Sequence, residues 1–223
     1  MKTPRALTVL FTILLLLLLS AIATTASPYG KGPGGAYEYR VDNRNDGSVE
    51  VSVIANLDDP RTLERYMAAN RERIETLLVR RSDTPVYVQV TFSQPVSHEA
   101  AHQLSQATSL TVSNYAMVGV DRQGQPLTVI INDSLDAGIP IAQDLAIDEN
   151  QEVIDGIMVI QGTITATDET LGELVRNPSV YLVDTTAFEV QEAVMLSHNL
   201  GVSEIESVAL PSPAWALRWG PPD

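Results

Sequence analysis

The chain has 223 residues, a formal net charge of −14, 44% hydrophobic residues and 5% aromatic residues. This length and apolar content are enough for one large domain or two small ones, with a core made mostly of Val, Ile, Leu and Ala. The negative charge argues against a nucleic-acid partner, because phosphates would be repelled. The sequence contains no cysteine, which excludes disulfides, thiol catalysis and Cys-ligated zinc.

The charge is distributed unevenly along the chain. Residues 1–81 carry 11 basic and 9 acidic side chains, whereas residues 82–223 carry 3 basic and 19 acidic ones. We interpret the acidic part as a solvated surface, and a face for cations or for a basic partner is the alternative.

Residues 1–26 are predicted to direct export. Two basic residues precede an uncharged stretch whose apolar centre is Leu7–Leu19, and the small residues of Ala21–Ala23 follow. This order is typical of a cleaved signal peptide. Residues 6–23 are also just long enough to cross a bilayer, so an uncleaved signal anchor is the alternative. In both cases we expect an extracytoplasmic body, residues 36–223, that is secreted or anchored at the outer face of the cytoplasmic membrane.

Between the leader and the body, residues 27–35 are rich in Gly and Pro and predict a flexible linker. Alternating apolar residues on both sides of Asn45-Asp46-Gly47 then predict a β-hairpin. Asp59 and Pro60 are typical of a helix start, and the apolar spacing that follows predicts an amphipathic helix with an arginine-rich outer face. We expect this helix to pack on a sheet, and contact with anionic lipid is the alternative.

Two strand-helix-strand patterns follow, in residues 82–132 and 156–223. When they are overlaid with an offset of 70 residues, Ser97 falls on Thr167 and Leu104 falls on Leu174. Both Ser97 and Thr167 are suitable helix N-caps. The matching lengths predict an α+β fold, with an antiparallel sheet and helices on one face. Two β-α-β units of this kind form a ferredoxin-like sandwich.

Residues 133–155, between the two units, contain seven acidic side chains and no basic one. They predict a surface loop, and the density of carboxylates raises the question of calcium binding. The alternating Asp and Asn ligands, the central Gly and the final Glu of a calcium loop are missing. We therefore expect no metal or cofactor in this loop.

One short stretch resembles a catalytic motif. His98-Glu99-Ala100-Ala101-His102 matches the HExxH pattern of zinc peptidases, in which two histidines one helical turn apart bind the metal. The glutamate between them takes a proton from the zinc-bound water. The resemblance covers this stretch and its uncharged neighbours, and it implies a zinc-dependent peptidase.

Several features of the sequence favour a structural interpretation of this motif. It directly follows the predicted cap at Ser97, so the histidines lie in the first turns of a short helix, which is a poor support for a hydrolytic site. The extended peptidase pattern fails, since its further Gly and His are replaced by Ser105 and Thr108. The spacing does not select a third ligand among Glu149, Glu152 and His198. The equivalent positions of the second unit hold Asp168, Glu169 and Gly172.

We therefore predict surface histidines on a structural helix and assign no catalytic, cofactor-binding or metal-binding residue. The tail contains Trp215 and Trp219, and we expect at least one of them to tie the terminus to the core rather than form a ligand platform. The function predicted from the sequence is a non-enzymatic interaction or sensor-like domain with an unknown protein or envelope partner. The alternatives are a zinc-dependent peptidase and a membrane-tethered structural protein of the envelope.

Overall fold

The computed structural model describes residues 29–80, 85–121, 125–136 and 151–218, which form two β-sheets and several helices. This mixed architecture confirms the predicted α+β class. The strands are β1 (Tyr29–Lys31), β2 (Glu38–Asn43), β3 (Val49–Ile54), β4 (Pro85–Val96), β5 (Thr111–Asp121), β6 (Pro126–Ile131), β7 (Gln151–Thr165), β8 (Val180–Asp184) and β9 (Ile205–Ala209). The helices are α1 (Pro60–Arg80), α2 (His98–Thr108), α3 (Glu173–Arg176), α4 (Thr186–His198) and α5 (Ala214–Arg218), and a π-helical turn at Asp168–Gly172 precedes α3.

The four-stranded sheet has the order β1-β2-β3-β9. Strands β2 and β3 form the predicted hairpin, and Gly47 closes its turn with a φ of 90°, which suits glycine. Strand β1 lies inside the predicted linker and pairs antiparallel with β2. Its glycine has a packing role, since a Cβ atom on Gly30 would lie 2.0 Å from the ring of Tyr39. The stretch predicted as a linker therefore contains a paired strand, Tyr29–Lys31.

The five-stranded sheet is antiparallel throughout and has the order β6-β5-β7-β4-β8. The strands of the two predicted β-α-β units lie in the order β5-β7-β4-β8, which is consistent with a ferredoxin-like sandwich, and β6 adds a further strand at the edge. Residues 151–155, assigned above to the acidic loop, form the first part of β7, whereas residues 137–150 lie outside the described ranges.

The first face of this sheet forms the larger hydrophobic core. Alternate residues of β4, from Val86 to Phe92, point into it because successive side chains of a strand face opposite sides. Helix α2 contributes Ala101 and Leu104, and the second unit contributes Leu171 and Leu174. These helical residues cover the face as the duplicated pattern predicts.

The second face of the sheet is covered by the C-terminal strap, which we define as residues 210–216. Ala216 is fully buried there in a small apolar cluster. The ring of Trp215 packs edge-on against Tyr181, with 4.8 Å between ring centroids and an interplanar angle of 87°. Trp215 therefore ties down the terminus as predicted, but α5 lies on the face opposite to α2, so the helices are not confined to one face.

Helix α1 connects the two sheets. Its Ile74 and Leu77 belong to the core of the five-stranded sheet, and its Tyr66 belongs to the core of the four-stranded sheet, together with Val190 and Val194 of α4. The predicted packing of this helix on a sheet is thus present. Within the described ranges, no helix combines the length and the apolar character needed to cross a membrane.

Candidate functional site

The HEAAH motif occupies the first turns of α2, as the sequence predicts. The Ser97 side chain accepts a hydrogen bond from the Ala100 backbone N–H (3.1 Å) and caps the helix. The helix ends at Thr108, and its C-cap residue Ser109 has a φ of 54°. The two histidines are therefore one turn apart in the first turns of a three-turn helix.

The side chains of His102 and Glu99 each contact a different neighbouring side chain. His102 Nε2 lies 2.7 Å from Oδ1 of Asp136, which is 82% exposed. The Glu99 carboxylate accepts a hydrogen bond from Gln103 Nε2 (3.1 Å). In the described part of the chain, no group of three or more His, Asp or Glu side chains is arranged to hold a metal ion. A catalytic zinc site needs three such ligands around an open position.

Of the three candidate third ligands, one has a described side chain. Glu149 and the side chain of Glu152 lie outside the described residues, and His198 is the last residue of α4.

The His98 ring lies between two other rings. It stacks on His102 at 6.5 Å between centroids and meets Tyr115 edge-on at 6.2 Å. Among the described residues, neither the buried Nε2 of His98 nor the buried Tyr115 hydroxyl has a hydrogen-bond partner. Burial, and then the nearby Asp133 carboxylate, raise the pKa of Tyr115, so its hydroxyl stays protonated. We call His98, His102, Tyr115 and Asp136 the histidine cluster.

A second polar cluster, which the sequence analysis did not identify, joins α1 to β8 and α4. We call it the polar seam, and it comprises Tyr37, Tyr66, Asn70, Arg73, Asp184, Thr185, Thr186 and Glu189. The only sequence signal is that Asn70 and Arg73 interrupt the apolar face of α1.

Asp184 is the most deeply buried acid of the polar seam. Tyr66 donates its hydroxyl hydrogen to Asp184 Oδ2 (2.5 Å), and the Thr186 backbone N–H donates to Oδ1 (2.8 Å). Burial raises the pKa of Asp184, and these two donors and the charge of Arg73 oppose that rise. Burial, followed by the charge of Asp184, also raises the pKa of Tyr66.

Asn70 and Arg73 complete the polar seam. Asn70 donates to the Val183 carbonyl, and its Oδ1 accepts from the Thr185 backbone N–H (3.0 Å). Arg73 forms an ion pair with Glu189, which also accepts a hydrogen bond from the Tyr37 hydroxyl (2.8 Å). The charged and polar groups of the polar seam thus bond to one another inside the fold. This arrangement fixes α1 against β8 and α4 and does not expose a reactive group.

A polar pocket of about 460 Å³ opens at the junction of the two sheets. Five consecutive residues, 206–210, line one side of it, and they belong to β9 and the residue that follows. The other side consists of hydroxyl and amide side chains from β4, β5, β7 and α4. They are Tyr87, Ser113, Asn114, Gln161 and Gln191. No single segment supplies this lining, which is why no motif pointed to the pocket.

A row of polar groups continues from this pocket under the C-terminal strap. Gln161 Nε2 donates to Gln89 Oε1, and Gln89 Nε2 donates to the Pro211 carbonyl (3.1 Å) and to Ser212 Oγ (3.2 Å). Gln89 is 1% exposed. The neighbouring Thr91 is fully buried, and its hydroxyl has no hydrogen-bond partner among the described residues.

A second depression, of about 400 Å³, lies between α1 and β8 and is largely apolar. Here Asn70 of α1 already donates to the Val183 carbonyl of the strand. The edge of β8 is therefore partly closed by the fold itself.

The chain matches no protein-family model, no curated protein and no solved structure.

Proposed function

We propose that the protein is an exported, non-enzymatic interaction module that binds an extended peptide beside β9. The peptide would add a strand to the outer edge of β9 and contact the amide side chains across the polar pocket. One observation carries the proposal, namely that an edge strand forms a wall of a polar pocket.

The position of β9 supports strand addition. Within the described residues β9 pairs with β3 and ends the sheet order β1-β2-β3-β9. The outer edge of such a strand presents backbone N–H and C=O groups that pair readily with another extended chain. Peptide-recognition domains use this mode, in which main-chain hydrogen bonds supply affinity and side-chain pockets supply specificity.

The chemistry of the opposite wall fits a peptide main chain. The amides of Asn114, Gln161 and Gln191 can each donate and accept hydrogen bonds, as a peptide group does. Of the described lining residues one is charged, Glu206, and it lies 4.0 Å from Arg44. Because the whole chain has a net charge of −14, a neutral or basic peptide is favoured over an acidic one.

Peptide selection with a matched pair of variants tests this proposal. A displayed library of random ten-residue peptides is selected on the purified protein, and the dissociation constants of the selected peptides are measured by fluorescence anisotropy. Gln191→Lys, in the pocket, is expected to weaken binding about tenfold, the worth of one or two hydrogen bonds. Gln106→Lys, on the exposed face of α2, serves as the control and is expected to leave binding unchanged.

Backbone methylation of a selected peptide tests the binding mode. Strand addition uses the N–H groups of alternate residues, so N-methylation is expected to abolish binding at every second position and to be tolerated between them. The proposal fails if no peptide is selected, if both glutamine variants behave alike, or if methylation has the same effect everywhere.

Export is tested separately by the intact mass of the protein recovered from its native cells. A mass that lacks the leader, with a cut after Ala23 or Ala26, supports a secreted module. A mass that includes the leader supports the membrane-tethered alternative.

A further inference from the structure

The polar row beneath the C-terminal strap differs from a permanent hydrophobic interface. On the first face of β4 the alternate residues are Val and Phe, whereas the second face presents Tyr87, Gln89 and Thr91. Gln89 bonds to the strap through the Pro211 carbonyl, a main-chain acceptor that any extended peptide would also offer. The covered surface thus carries the same amide chemistry as the open pocket.

The strap does not supply a hydrogen-bond partner for every polar group of this surface, as Thr91 shows. The residue is fully buried, yet its hydroxyl has no hydrogen-bond partner in the part of the chain that the structure describes. A buried hydroxyl without a partner costs about 1–3 kcal/mol. A segment with a polar group at this position would remove that cost, which the strap does not do.

Separate local contacts hold the strap: Gln89 bonds to Pro211 and Ser212, and Leu210 packs at the edge of the core of the four-stranded sheet. The Ala214 backbone N–H donates to the exposed Asp58 side chain (2.8 Å), and Trp215 contacts Tyr181. Ala216 fills a small apolar cluster that is separate from the two main cores. Attachments of this size can release as a unit while the rest of the fold stays intact.

We propose that the C-terminal strap is a releasable internal ligand that covers the second half of the peptide groove. The proposal rests on the peptide-binding function for the class of ligand. Gln161 links the two halves, because it lines the open pocket and also bonds to Gln89 beneath the strap. Release of the strap exposes Gln89 and Thr91, and a longer extended peptide then replaces the Pro211 carbonyl as the acceptor for Gln89.

Thiol labelling measures release without any ligand. The chain has no cysteine, so Ala216→Cys under the strap can be compared with Ala101→Cys in α2. Both alanines are 0% exposed, which makes the pair a matched control. We expect Ala216→Cys to react about 100-fold faster, because Ala101 is exposed only by opening of the main core. Unfolding curves confirm that both variants are folded, and equal labelling rates would overturn the proposal.

A reversible lock tests competition for the groove. The double variant Asp58→Cys, Ala214→Cys replaces the hydrogen bond that holds the strap with a disulfide, whose formation is verified by mass. The probe is a labelled synthetic peptide of residues 209–218, ALPSPAWALR. We expect the probe to bind the reduced variant at least about tenfold more tightly than the oxidised one. Equal affinity in the two states, or no binding in either, contradicts the internal-ligand proposal.

The two proposals fail in different ways. If the strap is never released, the labelling rates are equal while the library-selected peptides still bind and respond to Gln191→Lys. If the groove beside β9 does not bind peptides, that selection fails while the labelling ratio can still be high.

Discussion

The histidine cluster and the polar seam contain similar chemical groups in opposite settings. His102 and Asp136 contact each other through a hydrogen bond at the surface, with 30% and 82% of their side chains exposed. In the polar seam, by contrast, the Arg73 side chain is 9% exposed and Asp184 is fully buried. The contact between His102 and Asp136 is thus open to solvent, while the polar groups of the seam are enclosed by the fold.

The comparison shows that residues spaced like a catalytic motif do not necessarily contribute much to the free energy of unfolding. An exposed ion pair contributes about 0–1 kcal/mol, because water and salt screen it and two side chains must be ordered. A buried polar group that loses its partner costs more, since it cannot return to water. Variants in the two clusters should therefore differ widely in their effect on the free energy of unfolding.

The largest effect is expected for Asn70→Ala in the polar seam. The change leaves the Val183 carbonyl and the Thr185 backbone N–H without their partner inside the protein. We expect the free energy of unfolding to fall by about 3–4 kcal/mol, measured by urea denaturation. The neighbouring Arg71→Ala, on the exposed face of the same helix, is the control, with an expected change within about 0.5 kcal/mol. Similar losses in the free energy of unfolding in both variants would show that the polar seam contributes no more to stability than the exposed face of α1.

A smaller, pH-dependent effect is expected for Asp184→Asn. The pKa of Asp184 is raised by burial, so the folded state disfavours the ionised carboxylate. As the pH rises above about 4, the unfolded chain ionises first and the wild type loses stability, while the Asn variant does not. The stability of the variant relative to wild type should therefore increase between about pH 4 and the folded-state pKa.

The matched comparison is Asp168→Asn. Arg176 bonds to Asp168 and lowers its pKa, so the wild type gains stability as the pH rises towards about 4. When the stability of each variant relative to wild type is plotted against pH, the two variants are expected to give slopes of opposite sign. Slopes of the same sign would contradict the raised pKa of Asp184.

The smallest effect is expected for His102→Gln in the histidine cluster. Loss of the exposed pair with Asp136 should change the free energy of unfolding by less than about 0.5 kcal/mol at neutral pH. Metal analysis of the purified wild type should find no stoichiometric zinc. One zinc per chain, together with peptide cleavage that disappears in Glu99→Gln, would instead establish the peptidase alternative.

Local signals predicted much of the fold. Asp59 accepts a hydrogen bond from the Thr62 backbone N–H (2.8 Å) at the start of α1, as its position before Pro60 indicated. Ser97 caps α2, and the alternating apolar residues of β4 face the larger core, although Gln89 and Thr91 on the other face of the strand are buried as well. Caps and periodicity depend on residues a few positions apart, so a single sequence reveals them.

The remaining features depend on contacts between distant segments. The alternation of residues 205–209 is weak, and even a clear alternation indicates which face is buried but not which strand is the neighbour. The parallel pairing of β9 with β3 therefore could not be predicted. The same holds for the polar pocket, which five separate elements line, and for the seam contact between Tyr66 and Asp184, which are 118 positions apart. The candidate sites that the sequence offered, above all the HEAAH motif, were local patterns.

The pairing of β3 with β9 has a consequence for the order in which the protein is built. Ser48, beside β3, contacts Glu206 of β9 across 158 positions of sequence. While the ribosome is still synthesising the chain, the hairpin emerges well before residues 205–209, and the outer side of β3 stays unpaired with β9 until they have been made. Folding of the segments between β3 and β9 can thus begin during synthesis, but the four-stranded sheet closes only after β9 has been made.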